Sequence, residues 1–169
     1  MIRYIIDGHN FIHHIPRYIT LLDHDYVTCL KTLYRDLLNY SDSRQVTIVL
    51  VFDGNAPWDP LEHSDNLILK FSGPDRNADM DIIAQAEKWK GRHTVVVTED
   101  RQIIRSVAAL GCQTLPPKKF FRIIDEKIQT RKLKQTLPNE KPDRLSRTEI
   151  DWWKKEMKKA QNEKTDKDE

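Results

Sequence analysis

The sequence predicts an α/β domain around a mainly parallel sheet, and three observations carry that expectation. Residues 2–6, 46–52 and 94–98 are short runs dominated by β-branched and other apolar side chains, and unbroken runs of this kind mark strands buried on both faces. Stripes of apolar residues at helical spacing fill the intervals between them, and strands alternating with helices imply crossover connections. The chain has 169 residues, of which 38% are hydrophobic and 32% charged. That length is enough for one core that buries roughly 70% of the unfolded surface.

Element by element, Ile2, Tyr4, Ile5 and Ile6 form the first strand, and Val46 to Phe52, apolar nearly throughout, the second strong one. Between them Val27, Leu30, Tyr34, Leu37 and Leu38 trace one face of a helix. Residues 67–71 and 113–115 are weaker strands. Ile83, Ala86 and Trp89 mark a second helix, and Ile103, Ile104, Val107, Ala108 and Leu110 a third, closed by Gly111 at the C-cap. Phe120, Phe121, Ile123 and Ile124 supply one more helix or strand. The domain is expected to span residues 1–125, followed by a polar linker over 126–145 containing Pro138 and Pro142. Ser146 to Glu149 reads as a capping box. With Ile150, Trp153, Met157 and Ala160 it opens an amphipathic C-terminal helix over 146–160, ahead of a polar tail over 161–169.

Composition excludes several classes. Cys29 and Cys112 are the two cysteines, so a disulfide scaffold and a paired-cysteine zinc site are both ruled out, and a reducing, cytoplasmic setting is expected. Asp7 interrupts the first apolar run too early for a signal peptide. No stretch reaches the roughly 20 apolar residues of a membrane span. There is no GxxxxGK[ST] and no GxGxxG, which disfavours nucleoside-triphosphate and dinucleotide folds. The net charge of +2 conceals an asymmetry. Residues 1–116 carry 12 Lys+Arg against 15 Asp+Glu, giving −3, and residues 117–169 carry 16 against 11, giving +5. The second part suits a polyanion, although a solvated mixed-charge face is the commoner outcome.

The positions of the acidic residues point to chemistry. Asp7 follows the first strand, Asp53 the second, and Glu99 and Asp100 the third. In a parallel sheet the carboxyl ends of the strands share one edge, where ligands bind. Asp79 and Asp81 sit at the head of a helix that can border it. Residues two apart on a helix face nearly opposite sides, so only one of that pair can point inward. Gathered carboxylates repel unless a cation offsets them, and oxygen donors suit Mg²⁺ or Mn²⁺. Such a site fits phosphoryl transfer or phosphodiester hydrolysis. Each residue also has a plainer role: Asp100 as a helix N-cap, Asp79 and Asp81 as partners of a helix dipole, Asp53-Gly54 as a turn.

Four motifs in order resemble a known family. Asp7-Gly8-His9-Asn10 looks like the opening DGxN of NYN domains, a branch of the PIN-like ribonucleases. Val51 to Gly54, Asn77-Ala78-Asp79 and Val97 to Asp100 resemble the motifs that follow it, with the spacing of the YacP-like members. The resemblance covers roughly residues 1–125 and finds no counterpart for the tail. It implies a PIN-like three-layer α/β/α sandwich, to which the amphipathic helix read above adds a C-terminal helical extension. It also implies a metal-dependent endoribonuclease whose Asp7, Asp53, Asp79 and Asp100 hold Mg²⁺ or Mn²⁺. Asn10 and Thr98 complete the catalytic set, and the products carry a 5′-phosphate and a 3′-hydroxyl. His9 and Glu99 depart from the residues usual at their places, and Asp81 lies outside the pattern.

Arg76, Arg101, Arg105, Lys118 and Lys119 are candidates for phosphate contacts with a single-stranded RNA. Trp58 either stacks on a base or covers the core edge, His9 borders the pocket, and His13 and His14 are expected on the surface. A ribosome or another RNA-processing partner is expected for the basic C-terminal region, and no membrane. The competing function is an RNA-binding or adaptor protein of the same fold without turnover. An aspartyl-phosphate phosphatase is less suited, because His9 stands where its DxD motif needs a second aspartate.

Overall fold

The structure, a computed structural model, describes residues 1–57 and 64–136. Five parallel strands form one sheet in the order β3-β2-β1-β4-β5. They are β1 (Arg3–Asp7), β2 (Thr47–Phe52), β3 (Leu67–Phe71), β4 (Thr94–Val97) and β5 (Gln113–Leu115). The two weak strand candidates are therefore the two edges, where a side chain needs burial on fewer sides and the apolar signal thins. The central strands β1, β2 and β4 are buried almost throughout.

Alternation along the strands divides the core into two layers. On one face Tyr4, Ile6, Ile48, Leu50, Phe52, Leu67 and Val97 pack against α1 (Gly8–His14), α2 (Pro16–His24), α3 (Tyr26–Arg44) and α6 (Pro117–Thr136). On the other, Ile5, Val49, Val51 and Val96 pack against α4 (Ala78–Lys88) and α5 (Arg101–Ala109). This is the three-layer α/β/α sandwich expected.

Three helices, not one, join β1 to β2. Phe11, Ile12, Ile15 and Tyr18 are buried in this segment. Each of the two short helices presents too few turns for a readable stripe, and Pro16 at the first position of α2 starts a second helix where a continuous pattern is sought. In α4 the buried residues are Ala78, Asp81, Ile82 and Ala86. The inward stripe thus runs through Ile82, with Ile83 only partly covered. Gly111 adopts φ +74° just past Leu110, the C-cap of α5, as the sequence predicts.

Helix α6 carries Phe120 and Ile124 into the core. It continues to Thr136, into the stretch expected to be linker. The chain divides into a unit over residues 1–131 and a second over 132–169. The rest of the expected linker, the amphipathic helix over 146–160, the polar tail and Trp58 lie outside the described residues. Among the described residues no helix is long and apolar enough to cross a membrane.

Candidate active site

Parallel pairing decides which residues meet. Asp7 is the last residue of β1 and pairs in register with Val51, two positions before Asp53; Ile6 pairs with Val97, one before Thr98. The chain leaves β1 toward β2 and β3, then returns to β4 and β5 on the other side. The carboxyl ends of β1, β2 and β4 therefore border the point where the direction of winding switches, the place where open α/β sheets bind ligands.

Asp7 is 8% exposed. It caps α1, accepting from the Asn10 amide at 3.2 Å, and its other oxygen accepts from the Thr98 hydroxyl at 3.4 Å. Burial pushes its carboxyl up to about 6. The Asn10 amide opposes the shift, and the negative charges of Asp79 and Asp53 add to it. Asp79, on the first turn of α4, is raised as well, by burial and then by the charges of Asp100 and Asp53. The four carboxylates expected from the sequence thus form one electrostatic group at one sheet edge.

Three of the four carboxylates, Asp7, Asp53 and Asp100, are anchored by backbone amides. Asp53 Oδ1 accepts from the Ala78 amide at 2.6 Å, which fixes the head of α4 to the end of β2. Asp100 Oδ1 caps α5, accepting from the amides of Gln102 and Ile103 at 2.7 and 3.1 Å. The capping role weighed for Asp100 is therefore real, and for Asp53 and Asp100 these amide bonds engage Oδ1 alone. Among the described residues no three His, Cys, Asp or Glu side chains are drawn into a ready-made metal cage.

Thr98 and Asn10 tie the segments together. The Thr98 hydroxyl accepts from the Asp100 amide at 3.0 Å while donating to Asp7, so one hydroxyl ties the Asp7 carboxylate to the Asp100 backbone. Asn10 Oδ1 accepts from the Glu99 amide at 3.0 Å. His14, expected as a bystander, joins this clamp: its Nδ1 donates to the Asn10 carbonyl at 2.7 Å and its Nε2 lies 3.0 Å from Glu99 Oε2. The i, i+4 spacing of Asn10 and His14 on a helix was the available signal, hidden because α1 is so short.

Asp81 resolves the question posed by its spacing from Asp79. It is 2% exposed and turns away from the four-carboxylate group. Its Oδ1 meets Lys70 Nζ at 3.1 Å and Arg76 at 3.0 Å. Arg76 is thus engaged with Asp81 at one side of α4, still half exposed. Arg101 and Arg105 are exposed on the first turns of α5, and Lys118 and Lys119 on the first turn of α6. Both helices start from the carboxyl edge of the sheet. His9 packs its edge against Phe52 and lies beside Tyr26. His13 is exposed, and Cys29 and Cys112 are buried core residues, as expected.

A parallel sheet that gathers strand-end aspartates at its switch point is the arrangement that the resemblance to the NYN branch of PIN-like proteins implies. The chain belongs to the YacP-like NYN domain family, whose model matches residues 4–165. That span corrects the expectation that the likeness stops near residue 125, because the family pattern runs through the C-terminal region too. Among solved structures, Rae1 (YacP) from Bacillus subtilis is similar at 19% identity and a TM-score of 0.68, with 98% of this chain and 95% of that chain covered. A single-substitution mutant of the same protein matches at 21% identity and a TM-score of 0.65, covering 88% and 90%. At these identities the likeness carries the fold. No curated protein matches the chain in sequence.

Proposed function

We propose that the chain is a metal-dependent endoribonuclease that hydrolyses phosphodiester bonds of single-stranded RNA at the edge formed by Asp7, Asp53, Asp79 and Asp100. The observation that carries this reading is Asp7, buried at the end of the central strand, tied through Thr98 to the Asp100 backbone and facing the charges of Asp79 and Asp53. Such an arrangement is unfavourable by itself and is offset by a bound cation.

The donor set fits Mg²⁺ or Mn²⁺. All four side chains offer hard oxygens; the amide bonds of Asp53 and Asp100 engage Oδ1 alone, and the second oxygen of Asp7 takes only the long 3.4 Å bond from Thr98. Mg²⁺ keeps several waters and takes only one or two carboxylates directly, which agrees with a group that is gathered but not caged. Once bound, the ion supplies charge stabilisation at the attacked phosphate and a more acidic water.

The protein's own contribution is positioning. Thr98 holds Asp7 and the Asp100 backbone in one frame, and Asn10 with His14 holds the turn that carries Asp100 against α1. The cations Arg101, Arg105, Lys118 and Lys119 flank the edge and attract the RNA backbone without reading its sequence. The basic region after residue 116 offers a further surface for RNA or for a ribosomal or RNA-processing partner.

The test is cleavage of labelled single-stranded and structured RNA with Mn²⁺ or Mg²⁺, beside EDTA and the variants Asp7→Asn and Asp53→Asn. Metal-dependent cutting that both variants abolish is the expected result. RNA binding without cutting by the wild-type chain would favour a binding or adaptor protein of the same fold.

A further inference from the structure

Four aromatic rings run in a row from the half-buried Phe71 on the edge strand, through the buried Phe52, to the surface next to the carboxylates. Phe71 stacks on Phe52 at 5.5 Å between centroids. Phe52 meets the edge of His9 at 5.1 Å, and the His9 ring lies nearly parallel to Tyr26, at 16° and 6.2 Å. Phe52 is fully buried while Tyr26 is 38% exposed, so the row is anchored inside and ends in solvent.

The outer pair is also fixed at its polar ends. His9 Nε2 and the Tyr26 hydroxyl are 3.1 Å apart in a solvent-exposed contact. Tyr26 is the first residue of α3, held in place by its cap, Asp25, which accepts from the Thr28 amide at 2.8 Å. Its position relative to the acidic edge follows from the chain: His9 comes two residues after Asp7, and Phe52, on which His9 rests, immediately precedes Asp53. A partly exposed aromatic pair already locked in position loses little freedom when a ligand covers it, and bases stack on such rings with little regard to sequence.

We propose that His9 and Tyr26 form a nucleobase-stacking subsite beside Asp53, which takes an unpaired base of the RNA next to the phosphate held at the carboxylates. This rests on the ribonuclease reading and deepens it, assigning the base to the α1/α3 side of the edge. A base inside a duplex is stacked on its neighbours and cannot reach this pair, so the subsite selects single-stranded or looped RNA. Any of the four bases can occupy it, because each presents a π-face.

The experiment measures the affinity of the full-length chain for a labelled single-stranded RNA in EDTA, with metal-dependent cleavage in parallel. Wild type is compared with His9→Ala, Tyr26→Ala, Tyr26→Leu and Tyr26→Phe, and thermal melting is recorded for each. Removal of the ring is expected to weaken binding about 5- to 100-fold, with Tyr26→Phe recovering most of it and melting little changed. An abasic nucleotide walked along the RNA should cost the wild type a similar factor at one position and cost Tyr26→Leu nothing further there. Wild-type affinity in Tyr26→Leu, or a loss that simply adds to the abasic loss at every position, overturns the subsite. If the wild type neither binds nor cuts RNA with metal present, the ribonuclease reading falls first and the subsite with it.

Discussion

At the scale of single residues, Asp7 carries the sharpest consequence. Its folded-state value of about 6 lies above the 3.8 of a free aspartate because burial disfavours the charge. Between those two values the folded protein binds more protons than the unfolded chain, so stability falls as pH rises through this window. Above about pH 6 the metal-free protein bears the whole cost, about 2–3 kcal/mol. Asp7→Asn should therefore melt several degrees higher than wild type in EDTA at pH 7–8, with the difference vanishing near pH 4. The gain is reduced to the extent that Thr98, already accepting from the Asp100 amide, loses its acceptor. A melting difference equal at pH 4 and pH 8 would contradict the assignment of burial as the cause. Asn10 and His14 act at the same scale but on geometry. Asn10→Ala should lower kcat with little change in melting, because it frees the Glu99 turn without opening the core.

At the scale of elements, helix heads do two jobs at once. Asp100 caps α5 and contributes to the acidic group. The two roles separate by substitution: Asp100→Asn keeps a capping side chain and should stay near wild-type stability, while Asp100→Ala should lose about 1 kcal/mol. Both should lose activity, and urea unfolding beside cleavage checks the split. The head of α1 is constrained differently. A Cβ on Gly8 would run into the Phe52 ring, so only glycine lets α1 approach β2 closely enough to bring Asp7 and Asp53 to one edge. Gly8→Ala should destabilise by about 1–3 kcal/mol through overpacking. Gly8→Ala with Phe52→Leu should recover part of that loss in the same urea titration.

At the scale of the whole molecule, the sheet order brings chain-distant segments to one edge. If the acidic edge is where the cation binds, Mg²⁺ without RNA should raise the melting temperature by linkage, the stabilisation being about 3 kcal/mol at a hundredfold excess over its dissociation constant. Asp53→Asn and Asp79→Asn should each abolish most of that rise. The basic half is tested by truncation after Leu145, which should weaken RNA or partner binding and leave the melting of the residue 1–131 unit unchanged. Affinity, partner binding and stability all intact in the truncated chain would remove any role for the region after residue 145.

Much of this was determined by the sequence alone. The apolar runs at 46–52 and 94–98 specify buried strands because only a parallel sheet covers both faces of such a segment, and Asp7, Asp53 and Asp100 follow strands by simple adjacency. The order of the motifs was enough for the family. What only the tertiary structure decided is how side chains separated by many residues divide their bonds. Asp79 joins the carboxylates while Asp81, two positions on, is drawn to Lys70 from the edge strand and to Arg76. His14 becomes part of a clamp through Glu99, 85 positions away by its numbering. Tyr26 comes to His9 across α2. Local periodicity records which face of an element is buried, but partner choice depends on strand register and helix placement, which exist only once the whole sheet has formed.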